Sequence, residues 1–465
     1  MTTSVANSEL PVAVIGGGPV GLAAAAHLIT RGLPVKLYES GDTVAANVRS
    51  WGHVRLFSPW RFNTDSASTA ILHEHGWQAP QGDVLPTGHD LRAAYLEPLA
   101  ASPEMIGVIE TKAKVRSVTR QGIDKVVSRD RASHQFALAI EGANGDVRID
   151  LARAVIDASG TWQNPNPLGA NGTQAIGETA QSARIAYGIP DVRGTDRAAY
   201  AGQRILVIGG GHSAANALLD LARLADADRE THVTWAVRSR TLARIFGGGT
   251  ADKLSARGQL GTDLKRLVES GRLQVVLGFA AERVDESGGG VTVTGGVPDG
   301  RLTLGPVDRI IVATGQRPDL DLTRELRLDL DPWLESPRAL APAIDPNLHS
   351  CGSVPPHGYR ELAHPEPDFF AVGIKSYGRA PTFLMATGYE QVRSVAAHLA
   401  GDKAAADNVR LVLPETGVCS ATAAAPAQAK AGCCGGPAPA DVDACCVADA
   451  QAKAENKAGC GCASV

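Results

Sequence analysis

Two short glycine clusters carry the chemistry that this sequence makes legible. The first, Gly16-Gly17-Gly18-Pro19-Val20-Gly21, follows the apolar run Val12–Ile15. Gly16 permits a tight turn, Gly18 lets a pyrophosphate approach the backbone, and Gly21 lets the next helix pack closely on the strand. The free N–H groups and positive dipole end of that helix then face the phosphates. Glu39 stands at the end of the second strand, where a carboxylate can accept both hydroxyls of a ribose. A ligand-free glycine turn is the alternative, and the combination of strand, helix and terminal acid argues against it.

The second cluster is Gly209-Gly210-Gly211-His212-Ser213-Ala214, again after an apolar run. Ala214 replaces the third glycine, which the pattern permits. The following strand ends in Arg238 and Arg240, with no acid at the ribose position. Arginines there suit a 2′-phosphate through bidentate contacts, so NADPH is expected over NADH. The bland alternative is two solvated arginines at a strand end. His212, at the helix N-terminus, is a candidate to touch that nucleotide. His27 is expected to be a surface or packing residue.

These turns need strands and helices around them. Residues 11–40 and 202–240 repeat one pattern: strand, glycine turn, alanine-rich helix, second strand. Such alternation predicts parallel sheets and an α/β class. β-rich pieces follow at 105–160 and again at 273–315. Each nucleotide unit is thus followed by a meander and a closing strand, which ends in Ser159-Gly160 or Thr314-Gly315. The stretch 273–279 is read as part of the second meander. Residues 369–400 read as a strand, a loop and a final helix that return to the first unit. Gly373, Lys375, Ser376, Tyr377 and Arg379 lie on that loop. The expected organisation is two Rossmann-like domains, the second inserted in the first. Their bounds are 8–165 and 341–410 for the first domain, 166–340 for the second, and 411–465 for a flexible cysteine-rich tail.

Composition agrees with a globular enzyme. A chain of 465 residues is too long for one core. Hydrophobic content of 44%, charged content of 20% and a net charge of −4 give no reason to expect nucleic acid or an anionic membrane as partner. The N-terminus lacks a signal-peptide pattern. The run 11–29 is long and apolar enough to mimic a membrane span, but its four glycines and two prolines favour strand, turn and helix. A cytoplasmic protein is expected.

The eight cysteines are lopsided: Cys351 stands alone in the first 418 residues, and Cys419 and six others follow. Cys351 is expected to be a packed thiol. Cys433, Cys434, Cys445, Cys446, Cys460 and Cys462 form a thiolate-rich tail suited to a soft metal or metalloid ion. Their spacing is not that of a structural zinc site. A redox shuttle, or a disordered tail with no essential role, are the alternatives.

Together these motifs resemble the two-dinucleotide-domain flavoproteins, and within them the class B flavin monooxygenases, over about residues 10–402. The resemblance implies FAD at Gly16, Gly18, Pro19, Gly21, Glu39, Ser159, Gly160 and Gly373. It implies NADPH at Gly209, Gly211, His212, Ser213, Ala214, Arg238, Arg240, Thr314 and Gly315. The implied activity is monooxygenation of a small soft nucleophile. Residues 50–65, with Trp51, His53, Arg55, Ser58, Trp60 and Asn63, sit where the family has a flavin-contacting loop; a loop of packed aromatics is the other reading. The family's signature before the second turn is degenerate, with Asp196 in place of its histidine and Tyr200 at its aromatic end. Disulfide reductases of the same superfamily need a redox cysteine pair, and the body has none. The tail resembles those of flavoproteins encoded beside arsenic-resistance genes, which makes a trivalent arsenical a candidate substrate. An NADPH-dependent reductase of a metal, metalloid, quinone or disulfide acceptor is one alternative activity, and a non-catalytic metalloid-binding flavoprotein another. His357 and His364 are expected to be ordinary loop histidines. No catalytic residue and no oligomeric state can be read from the sequence.

Overall fold

Sixteen strands and a set of helices build the body of this computed structural model, which describes residues 9–348, 354–381 and 383–411. Cys351, Cys419 and the six other tail cysteines lie outside the described residues, as do the expectations placed on them.

The strands are β1 (Val12–Ile15), β2 (Val35–Tyr38), β3 (Ile109–Glu110), β4 (Lys114–Arg120), β5 (Phe136–Glu141), β6 (Val147–Ala152), β7 (Ala154–Asp157) and β8 (Ile185–Tyr187). They continue with β9 (Arg204–Ile208), β10 (His232–Val237), β11 (Gln274–Leu277), β12 (Ala280–Ser287), β13 (Gly290–Val297), β14 (Gly300–Val307), β15 (Arg309–Val312) and β16 (Phe369–Ala371). A parallel sheet has the order β16-β7-β1-β2-β3, and a second parallel sheet has β11-β10-β9-β15-β8. Two antiparallel meanders, β4-β5-β6 and β12-β13-β14, accompany them.

Both sheets are covered on two faces, which explains their continuously apolar central strands. Val12 and Val14 of β1 join the core under the helices, while Ala13 and Ile15 join the core under the first meander. Ile205 and Val207 of β9 face the helices of the second unit, and Leu206 and Ile208 face its meander. The side-chain period of two thus divides each apolar run between two cores. The helix Pro19–Ile29 starts with Pro at its first turn and buries Ala23, Ala24, Ala25 and Ala26. Its methyl-sized surface lets it pack between the sheet and the helix Met385–Leu399.

The return to the first sheet is made by β16, with Phe369 opposite Val155 and Ala371 opposite Asp157. Buried Glu366 anchors it: Arg120 Nε donates to its Oε1 at 2.8 Å, and Arg131 Nη2 and the Arg327 N–H donate to its Oε2 at 2.8 and 2.9 Å. Both carboxylate oxygens and all three of these donors are paired, as burial of charge requires.

Two sequence expectations change. The stretch 273–279 is not meander: β11 is the edge of the second parallel sheet, paired with β10, because its short apolar run fits either setting. Met385–Leu399 is not the last helix, since Lys403–Asp407 follows it, capped by the Asp402 carboxylate. Among the described residues no helix is long and apolar enough to cross a membrane. The run 11–29 instead forms β1, the glycine turn and the first helix.

Candidate functional site

The first glycine turn is shaped by contact. Gly16 has φ of +98°, and a Cβ there would lie 2.7 Å from the Ala158 carbonyl oxygen. A Cβ on Gly21 would lie 1.8 Å from the Gly16 carbonyl oxygen. Both positions therefore require glycine for the fold itself. Gly18 differs: it has φ of −80° and ψ of −174°, it caps the helix Pro19–Ile29, and a Cβ on it would meet nothing within 4 Å. The open space over Gly18, in front of free helical N–H groups, is the place a phosphate would occupy.

Glu39 is buried at the end of β2. Its Oε2 accepts from the Gly17 N–H and its Oε1 from the Gly41 N–H, each at 2.7 Å. The carboxylate is thus oriented by backbone, and its remaining lone pairs are free for ribose hydroxyls. The return segment reaches the same turn. Gly373 has φ of +67°, and Cβ atoms on Gly373 and Gly388 would lie 3.2 and 2.7 Å from Val20 Cγ2. Fit to FAD is met on these grounds: an open capping glycine, a fixed acid, and a backbone cradle that a Cβ would fill.

Ser159 does more than the motif suggested. Its Oγ donates to Asp157 Oδ1 at 2.6 Å and accepts from Lys375 Nζ at 3.0 Å. Lys375 Nζ also lies 2.6 Å from Asp157 Oδ2, with both side chains almost wholly buried. A buried ion pair therefore ties the turn Ser159–Gly160 to the return segment. Asp157 closes an apolar strand and Lys375 sits between Gly373 and Gly378, signals that sequence reasoning left without a role.

The second turn follows the same rules. Gly209 has φ of +139°, and a Cβ there would lie 2.2 Å from the Ala313 carbonyl oxygen. Gly211 caps the helix His212–Ala227 with φ of −99° and ψ of −176°, and a Cβ on it would meet nothing within 4 Å. Ala214 is fully buried and Ser213 half-buried on the first helical turn. Thr314 Oγ1 donates to the Asn166 carbonyl at 3.1 Å, and Gly315 has φ of +88°. Arg238 and Arg240 are exposed just beyond β10. Arg238 Nη1 donates to the Ala170 carbonyl at 3.0 Å, which aims the side chain and leaves further N–H groups over.

The loop 50–65 divides in two. Ser58 and Asn63 are buried and bond each other, Ser58 Oγ to Asn63 Oδ1 at 2.8 Å, so they shape the loop. Trp60 is buried in the core. Arg55 donates to the Leu85 carbonyl at 2.8 Å. Trp51 faces Trp162 at 6.4 Å between ring centroids, and Phe57 faces His212 at 5.3 Å. Trp51 and Phe57 thus carry aromatic contacts to other segments, Arg55 and Asp65 carry polar ones, and Ser58 and Asn63 brace the loop internally.

His27 is the packing residue expected, its Nε2 2.8 Å from buried Asp65. His357 is buried and its Nε2 bonds Gln391 Nε2 at 3.0 Å, while Gln391 Oε1 accepts from the Gly373 N–H at 2.7 Å. His364 Nδ1 accepts from the Asp329 N–H at 3.2 Å, and burial pushes its pKa down to about 4. Both lie in loops, as expected, and each is held by a bond to a neighbouring group, with His357 buried and His364 half-buried. Asp196 Oδ2 accepts from the Asp191 N–H at 2.8 Å and Tyr200 is buried, so the degenerate signature serves a local turn. A cleft of about 340 Å³ lies beside Asp65, Tyr389 and Glu390, and none of its lining residues belongs to either glycine turn. Among the described residues no three histidine, cysteine, aspartate or glutamate side chains are placed to hold a metal ion.

A family model described as pyridine nucleotide-disulphide oxidoreductase matches residues 13–337. No curated protein matches the chain. Among solved structures, bacillithiol disulfide reductase from Bacillus cereus is 19% identical with a TM-score of 0.62, over 84% of this chain and 99% of that one. A flavin-containing monooxygenase from Stenotrophomonas maltophilia is 20% identical with a TM-score of 0.53, over 84% and 98%. A cadaverine monooxygenase from Erwinia amylovora, solved with FAD, is 10% identical with a TM-score of 0.60, over 87% and 98%. At these identities the likeness is one of fold.

Proposed function

The chain belongs to the pyridine nucleotide-disulphide oxidoreductase family, and from that premise we propose that it is an NADPH-dependent FAD monooxygenase acting on a small soft nucleophile. It is a flavin-dependent oxidoreductase that uses FAD and a nicotinamide nucleotide. What carries the monooxygenase reading is the cysteine distribution: residues 1–350 contain no cysteine, so the flavin body has no redox thiol pair to pass electrons to a disulfide. Oxygen, a bound substrate or the cysteine tail is then the outlet, and we take oxygen as the reading. When bound, FAD would supply a hydride acceptor whose reduced form can react with oxygen.

The chain's own residues bind and orient. Glu39 holds the ribose of the first nucleotide, and Gly16, Gly18 and the helix starting at Pro19 take its pyrophosphate. Lys375, Asp157 and Ser159 fix the turn that meets it. Gly209 and Gly211 take the second pyrophosphate, with Ser213 and Ala214 on the helix behind, and Arg238 and Arg240 take the 2′-phosphate. The balanced reaction is NADPH, a proton, oxygen and substrate giving NADP⁺, water and the oxygenated substrate. The tail's six paired cysteines, from Cys433 to Cys462, support a thiophilic substrate, and we include trivalent arsenicals in that class.

The test compares NADPH oxidised with hydrogen peroxide released, against thiols, amines, ketones and trivalent arsenicals. A true substrate raises NADPH oxidation and lowers peroxide per NADPH. Substrate-dependent NADPH oxidation without oxygen would assign the chain as a reductase instead.

A further inference from the structure

The loop 50–65 packs with the first nucleotide unit, yet Phe57 crosses to the second. Its half-buried ring sits 5.3 Å from the His212 ring, tilted by 46°. His212 is the first residue of the helix that Gly211 caps, so the contact lies beside the second pyrophosphate turn.

The receiving side is closely packed and hydrogen-bonded around Arg257. The Arg257 guanidinium lies 6.0 Å from the Phe57 centroid. Buried Asp252 holds it in two bonds, Nε to Oδ2 at 2.6 Å and Nη2 to Oδ1 at 2.8 Å. The helix Ser255–Glu269 that carries Arg257 is pressed onto its neighbouring loop. Cβ atoms on Gly258 and Gly261 would each lie 2.0 Å from the carbonyl oxygens of Gly249 and Phe246. Crowding by protein atoms, and then the Arg257 cation, push the His212 pKa down, which favours the neutral imidazole beside Phe57.

Arg238 and Arg240 mark the adenosine end of the second nucleotide. Its nicotinamide must therefore leave the turn on the other side and reach across to the first unit. Phe57 is a side chain that the first unit places beside that turn. Resting on the reading of the second turn as an NADPH site, we propose that Phe57 is a positioning residue for the nicotinamide half of NADPH. Its ring, braced on His212, limits how the nicotinamide can lie when it presents hydride. A near-attack separation of roughly 3–3.5 Å is required, and a misplacement of about 1 Å can cost about a hundredfold.

The experiment uses FAD-loaded full chain with Phe57→Ala, Phe57→Leu and Phe57→Tyr. Anaerobic rapid mixing gives the limiting rate of flavin reduction by NADPH. Calorimetry with NADP⁺ gives its dissociation constant, and melting temperature and FAD content report the fold. Phe57→Ala and Phe57→Leu are expected to lower the limiting rate about 10- to 100-fold. The NADP⁺ dissociation constant should stay within about threefold, because the adenosine half supplies the affinity. Phe57→Tyr should restore the rate. Unchanged limiting rates in Phe57→Ala and Phe57→Leu overturn the proposal. So does loss of FAD or of the fold in both, which would make the ring structural. Absence of NADP⁺ binding in the unaltered protein would overturn the reading of the second turn, and the proposal with it.

Discussion

Gly18→Ala separates a nucleotide site from a mere turn. The backbone at Gly18 is one that alanine adopts without strain, and the added methyl meets no protein atom. Alanine lowers the entropy of the unfolded chain, worth about 0.4–1 kcal/mol in favour of folding. The helix-cap preference for glycine over alanine opposes this by a similar amount. Apoprotein stability should therefore change by less than about 1 kcal/mol, a shift of about 2–4 °C at most. The methyl does, however, fill the space assigned to a pyrophosphate. A steric insertion of this kind costs about 2–3 kcal/mol, which weakens FAD binding about 30- to 150-fold. Titrating apoprotein with FAD, followed by quenching of flavin fluorescence, reads the affinity, and thermal unfolding of the same apoprotein reads the fold. Gly21→Ala is the contrast, because its methyl would meet the Gly16 carbonyl at 1.8 Å and must destabilise the apoprotein itself. Gly211→Ala is the mirror experiment, expected to weaken NADP⁺ and leave FAD unaffected. If Gly18→Ala melts normally and binds FAD as tightly as the natural chain, the first turn is not the pyrophosphate site.

Three further outcomes follow from the same geometry. Arg240→Glu should raise the NADPH concentration for half-saturation roughly 10- to 150-fold, the loss of about 1.5–3 kcal/mol of charged hydrogen bonding, and leave NADH unchanged; equal effects on both nucleotides contradict the 2′-phosphate assignment. His364 is held near a pKa of about 4 by burial, so the fold favours its neutral form. That contribution is full above the ordinary value of about 6.5 and is lost as the pH falls towards about 4, worth up to about 3 kcal/mol, so the melting temperature should drop across that window and drop less in His364→Gln. Truncation at Pro414 should preserve NADPH oxidation by the body and abolish stoichiometric binding of soft metal or metalloid ions; loss of NADPH oxidation would show that the tail is part of the catalytic unit.

What was legible in the sequence is what local geometry dictates. Gly16, Gly21 and Gly209 are each required by a contact within their own strand–turn–helix unit or its closing strand, so type and spacing announce them. Glu39 and the arginine pair Arg238 and Arg240 are readable because a strand end has a fixed relation to the turn before it. The ion pair of Asp157 with Lys375 was not readable. It joins groups far apart in the chain, and only the pairing of β16 with β7 brings them together. The pairing of His27 with Asp65 has the same origin, a helix of the first unit meeting the end of the loop 50–65. In that loop, composition mixed two roles: Ser58 and Asn63 turned inward as braces, while Phe57 turned outward to a partner in the other unit. The edge strand β11 was misplaced because a short apolar run states that it is buried without stating in which sheet.

The central claim is that one chain holds FAD and delivers hydride to it from NADPH. Its most direct test is an anaerobic titration of the FAD-loaded protein with NADPH and, separately, NADH, following the visible flavin band. One equivalent of NADPH should bleach the band, and NADH should do so only at far higher concentration. An unbleached band in excess NADPH, with FAD bound, would contradict the account.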